Sequence, residues 1–142
     1  MIVGIDPDID KNGVAIKTDQ GIELKSLRYF ELFEFLRNEK LLIKEVVIEG
    51  GWLNQKSNFR IVNGAGANAR IGKNVGANHE SGRKIVEMCE YLGVPFRVVK
   101  PLKKTWGKDG KQKISHQELE RVLNTKIKSS NPEQRDALLL IL

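Results

Sequence analysis

Short apolar runs that stop on a carboxylate constrain this chain more than any other feature. Ile2-Val3-Gly4-Ile5 ends on Asp6, and Val46-Val47-Ile48 ends on Glu49. Runs of this length and β-branched content predict short buried strands. Glu133 and Asp136 follow the turn signal Asn131-Pro132 and open a purely apolar stretch over residues 137–142. An ionised carboxylate at the edge of a core is costly unless it is hydrogen-bonded, paired or bound to a cation. Acids delivered by separate elements to one point of a sheet point to metal-assisted phosphoryl chemistry.

Composition narrows the setting. A chain of 142 residues predicts one domain, residues 1–142, able to bury about two-thirds of its unfolded surface. The single Cys89 excludes a disulfide framework and a cysteine-based metal cluster. Met1 leads directly into Ile-Val-Gly-Ile-Asp without a basic region or a long apolar run, so a signal peptide is not expected. No apolar run approaches the ~20 residues of a membrane helix. The expected location is the reducing cytoplasm, with no membrane partner. The chain reaches Leu142 still within an apolar stretch, which leaves room for a truncated end.

Charge is distributed unevenly. Residues 1–50 carry seven Lys/Arg against ten Asp/Glu, whereas residues 51–128 carry sixteen against six. Residues 50–79 contain no acid, only Lys56, Arg60, Arg70 and Lys73. Residues 91–108 again contain none, against Arg97, Lys100, Lys103, Lys104 and Lys108. Acid-free basic segments suit a polyanion, and Trp52, Phe59 and Trp106 are available to stack on bases or wedge between them. The alternative is a solvated basic face. Because these segments border the carboxylates, nucleic acid is the expected partner.

The pattern predicts an α/β chain in the order β-β-β-α-β-α-β-α-α. Residues 2–5 form the first strand, and residues 13–17 and 21–27 flank a hairpin turn. Phe30, Phe33 and Leu36 mark a short helix; residues 45–49 and 96–99 read as strands. Residues 50–77, rich in Gly and Asn and weak in periodicity, read as a long basic loop. Asn78 is placed to cap a helix carrying Ile85, Met88, Cys89 and Leu92 at i, i+3, i+4, i+7. Residues 100–113 form a basic loop, Ser115 through Glu118 has capping-box spacing, and Asn131-Pro132 opens the last helix.

If the two carboxylate-ended strands are parallel neighbours, Asp6 and Glu49 meet at the strand ends, where sites in α/β sheets gather. Glu133 and Asp136 are three apart and share a helical face with Ala137 and Leu140, which turns that face inward. Four hard oxygen donors in one place suit one or two Mg²⁺ or Mn²⁺ ions. Each acid also has a structural reading. Glu133 suits the first helical turn, Glu49 can simply end a strand, and Asp6 precedes Pro7 as turn-forming Asp often does. Asp136 beside an apolar run is hardest to explain structurally. Two motif matches fail. Residues 8–19 resemble an EF-hand loop but lack the preceding helix, and residues 66–74 depart from phosphate-loop spacing and end on Asn74 rather than Ser/Thr.

Ile2-Val3-Gly4-Ile5-Asp6-Pro7, Val47-Ile48-Glu49 and Glu133-Gln134-Arg135-Asp136-Ala137-Leu138 resemble, in order and spacing, the motifs of the RuvC-like Holliday junction resolvases. The resemblance implies a ribonuclease H-like fold, a mixed five-stranded sheet flanked by helices with the first and fourth strands adjacent. It implies Asp6, Glu49 and Asp136 as catalytic metal ligands, with Glu133 standing where many members carry Asp. Two Mg²⁺ ions, or Mn²⁺, held roughly 4 Å apart would then hydrolyse a DNA phosphodiester. Trp52 matches the position of an aromatic wedge, and Lys103, Lys104 and Lys108 lie where relatives carry basic residues near the scissile phosphate. A lysine within residues 103–113 is expected to neutralise charge on the phosphate, and Arg70 and Lys73 to add DNA contacts. Branched DNA is the implied substrate and a homodimer the implied assembly, with the helix from Asn78 as candidate interface. His79 is a candidate proton shuttle, and His116 has no expected role. The remaining readings are another ribonuclease H-like nuclease, acting on RNA–DNA hybrid or a different substrate, and a non-catalytic nucleic-acid-binding module.

Overall fold

The computed structural model describes residues 1–54 and 65–142. Its strands are β1 (Ile2–Asp6), β2 (Asn12–Thr18), β3 (Gly21–Leu27), β4 (Glu45–Glu49) and β5 (Phe96–Val99). Its helices are α1 (Tyr29–Glu39), α2 (Ala65–Leu92), α3 (His116–Leu123) and α4 (Pro132–Leu139), with one 3₁₀ turn at Gly51–Leu53. The strands form a single mixed sheet in the order β3-β2-β1-β4-β5. β1–β2 and β2–β3 pair antiparallel as a meander, whereas β1–β4 and β4–β5 pair parallel.

Side-chain alternation splits the sheet between two cores. Val3, Ile5, Val14, Ile16, Val46 and Ile48 face one side, where Leu32 and Leu36 of α1 and Ile85, Met88, Cys89 and Leu92 of α2 cover them. Ala15 and Val47 face the other, beneath Leu119 of α3 and Ala137 and Leu138 of α4. Because both faces are covered, β1 and β4 read in sequence as unbroken apolar runs.

α4 lies directly on the sheet. A Cβ at Gly4 would overlap the Ala137 carbonyl, and one at Gly13 would overlap the Glu133 carbonyl. Only glycine leaves room for a helix backbone at this approach. The N-terminus of α4 is capped as its sequence predicts: Asn131 Oδ1 accepts from the Gln134 N–H at 2.8 Å, and Gln134 Oε1 from the Asn131 N–H at 3.0 Å. Both side-chain amides also donate to Ser26 Oγ of β3, which ties the helix start to the sheet.

One expectation is corrected. The loop foreseen over residues 50–77 is helical from Ala65, so Asn78 and His79 lie within α2 rather than at its start. Residues 55–64, with Lys56, Phe59 and Arg60, lie outside the described residues. Gly66, Gly72 and Gly76 weaken helix propensity, which hid the element. Half-buried Ile71 and Val75 nonetheless continue the stripe of Ile85, Cys89 and Leu92, and extending a formed helix is far easier than nucleating one. Among the described residues, no helix is long and apolar enough to cross a membrane.

Candidate active site at the strand ends

The sheet register brings the first two acids together. Gly4 pairs with Val47 and Ile5 with Ile48, so the next step along the parallel ladder sets Asp6 beside Glu49. Both acids have the parity of the sheet face covered by α4. Asp6 is also the cross-strand partner of Gly13, the residue on which Glu133 rests. Glu133 and Asp136 therefore descend onto the end of β1. Asp6, Glu49, Glu133 and Asp136 all line one open cleft of about 910 Å³.

Lys113 completes this group. Its Nζ stands 2.5 Å from Asp136 Oδ2, and it lines the same cleft. Its backbone is held in place because Ile114 is buried and the Ile114 carbonyl accepts from Arg135 Nε at 2.8 Å. Arg135 Nη1 also donates to the Ser130 carbonyl, so α4 anchors the segment that carries Lys113. Sequence alone offered Lys113 only as one member of the 103–113 stretch. The signal that singles it out is its place next to a buried Ile and the Ser115 cap, which leaves that backbone little freedom.

The surroundings shift Asp6, Glu49 and Lys113. Asp6 is pushed up to about 8, first by burial and then by the charges of Glu49 and Asp136, with Lys113 opposing. Glu49 is raised by burial, against a weak hydrogen bond from the Leu102 N–H and the Lys113 charge. Burial pulls Lys113 down, yet its bond to Asp136 and the nearby Asp6 and Glu133 outweigh this and raise it. Four carboxylates facing one ammonium leave the site rich in hard oxygen donors, a set whose chemistry suits a cation. Among the described residues, no three His, Cys, Asp or Glu side chains form a closed ligand set. That still fits Mg²⁺, which takes one or two carboxylates and completes its shell with water and phosphate oxygens.

The basic residues sort by position. Lys103 and Lys104 line the cleft, together with Lys100. Lys108 does not, because the Trp106–Gln112 bridge folds residues 107–111 into a turn, with Gly107 and Gly110 at positive φ. Arg70 and Lys73 are exposed on α2, outside the cleft. His79 lines the cleft with its ring against Gly51, whereas His116 hydrogen-bonds Ser130 and faces Glu120. Of the EF-hand-like residues 8–19, those up to residue 11 link β1 to β2, and the Asn12 side chain that opens β2 accepts from the Asp8 N–H and donates to the Leu27 carbonyl.

Trp52 packs against α2. A Cβ at Gly82 would overlap its indole, Pro7 adjoins the same point, and the Arg83 guanidinium lies 5.7 Å from the ring centroid. Trp52→Ala is accordingly expected to destabilise the protein by about 2 kcal/mol, below the fully buried Trp range because the ring is only half buried. A thermal melt should show a fall of roughly 5–10 °C. An unchanged melting temperature would show that the indole does not contribute to packing on α2.

No protein-family model matches the sequence, and no curated protein matches it. Solved structures do. Thermus thermophilus RuvC in complex with Holliday junction substrate superposes with a TM-score of 0.57 at 15% identity, over 98% of this chain and 88% of that one. A second Thermus thermophilus RuvC structure gives a TM-score of 0.49 at 18% identity, over 98% and 89%. At this identity the first likeness speaks for architecture. The mixed five-stranded sheet with helices on both faces is thus a RuvC-like version of the ribonuclease H-like α/β fold.

Proposed function

We propose that this protein is a divalent-metal-dependent endonuclease that cleaves phosphodiesters of four-way or otherwise branched DNA. The observation that carries this reading is the convergence of Asp6, Glu49, Glu133 and Asp136, from three separate elements, in one cleft with Lys113 and a lysine-lined mouth. A non-catalytic binding module has no need for four acids beneath a basic rim. The RuvC-like fold and the motif resemblance favour branched DNA over other nucleic acids.

In this reading Asp6, Glu49, Glu133 and Asp136 would hold two Mg²⁺ or Mn²⁺ ions, which would supply an activated water and charge stabilisation at the leaving oxygen. Lys113 sets positive charge against the phosphate, and Lys100, Lys103 and Lys104 draw the backbone into the cleft. Cutting both strands of a four-way junction symmetrically calls for two sites, so the reading includes a homodimer, checked by light scattering.

The test is cleavage of a synthetic four-way junction against duplex, single strand and RNA–DNA hybrid, with Mg²⁺ and with chelator. Mg²⁺-dependent cutting of the junction is expected. Preference for hybrid would move the substrate to RNA–DNA, and no cutting of any substrate would overturn the nuclease reading. Binding has its own signature. Lys103→Ala and Lys104→Ala should each lower the log–log salt slope by roughly one unit, whereas Lys108→Ala should change it little. A slope unchanged from wild type in all three would make the rim a solvated basic face.

A further inference from the structure

Resting on the metal-dependent reading above, we infer that Lys113 is a built-in cation that occupies Asp136 until a divalent ion displaces it, freeing the ammonium for the phosphate of the bound nucleic acid. The ion pair is short, at 2.5 Å, and Asp136 is its buried partner: its side chain is 13% exposed against 41% for Lys113. The carboxylate is therefore fixed while the ammonium stands at the open side of the cleft. Among the described residues, no other Lys or Arg pairs with Asp136, and none pairs with Asp6, Glu49 or Glu133.

The backbone on either side of the pair does not need to move. Arg135 Nε holds the Ile114 carbonyl at 2.8 Å, the Ile114 side chain is buried, and Asp136 sits on a helix in contact with the sheet. Only the four-carbon stem of Lys113 has to swing. An ammonium and a divalent ion on the same carboxylate compete for its lone pairs and repel each other. The lysine thus lessens acid–acid repulsion in the empty site at the expense of metal affinity. Its charge becomes available only where metal has entered, which would hold the protein in a less reactive arrangement until it is loaded.

This makes an unusual combination of effects. Lys113→Gln should bind Mn²⁺ about tenfold more tightly in calorimetric titration without DNA, the scale of one lost charge-assisted hydrogen bond. The same variant should melt lower than wild type in chelator, recover with saturating Mn²⁺, and cleave more slowly. Lys113→Arg keeps a cation at Asp136 and should return Mn²⁺ affinity towards wild type. A lysine that meets only the phosphate would leave Mn²⁺ affinity unchanged, and a purely structural one would weaken it. Either result overturns the inference while leaving the nuclease reading intact. Absence of Mn²⁺ uptake by the wild type would instead overturn the metal-dependent reading, and the inference with it.

Discussion

Asp6→Asn is expected to lower Mg²⁺-dependent cleavage by about 10²–10³-fold or more, because it keeps the shape of the side chain and removes the charge that a hard cation needs. DNA binding without metal should survive if, as proposed, it rests on the lysines at the cleft mouth. Stability should respond in a direction peculiar to this carboxyl group. Burial and the neighbouring acids raise Asp6 from 3.8 to about 8. Between those values the native state holds a proton that the unfolded chain releases. The contribution of Asp6 to metal-free stability is therefore fully present below about pH 4, is lost as pH rises towards about 8, and changes no further above. Asparagine cannot titrate, so the variant should lose this slope and be roughly 1–3 kcal/mol more stable than wild type near pH 8 without metal. Urea unfolding at several pH values, with chelator present, reads the effect. Wild-type cleavage by Asp6→Asn, or by Glu49→Gln and Asp136→Asn, would sink the catalytic assignment.

Gly13→Ala should be as damaging without altering any charge. The added methyl would overlap the Glu133 carbonyl and also meet the Gln134 amide nitrogen at 2.8 Å. Both are backbone atoms, so no side-chain rotation relieves the clash, and α4 has to lift. Overpacking of this kind costs about 1–3 kcal/mol and sometimes more, and rigid backbone partners place this case at about 3 kcal/mol. Melting temperature should fall by roughly 10 °C or more. Glu133 and Asp136 would move with the helix, so cleavage should fall further than the loss of folded protein explains. Gly76→Ala is the control. Among the described residues nothing lies within 4 Å of its added Cβ on α2, so it should be neutral or slightly stabilising. Equal behaviour of the two variants would show that α4 does not depend on close approach to the sheet.

Local chemistry wrote much of this into the sequence. β4 and β5 have the bounds that their β-branched runs predict, and α3 and α4 begin on Ser115 and Asn131, whose capping interactions close within three residues. The acids at the ends of β1 and β4 were legible for the same reason: a carboxylate terminating a buried run needs an explanation wherever the chain goes. The N-terminal half of α2 was not legible. Its glycines oppose helix locally, and what offsets them is a stripe continuous with residues further along the same helix. Tertiary structure alone decided the rest. Strand register put Asp6 and Glu49 on one face, and the bare backbone at Gly4 and Gly13 let α4 lower Glu133 and Asp136 onto it. Packing turned Trp52 towards α2. Among several lysines that look alike in sequence, Lys113 was selected because Arg135 fixes the backbone beside it while its side chain reaches Asp136. A strand or a cap depends on neighbours a few residues away, whereas a site depends on which distant residues share one point in space.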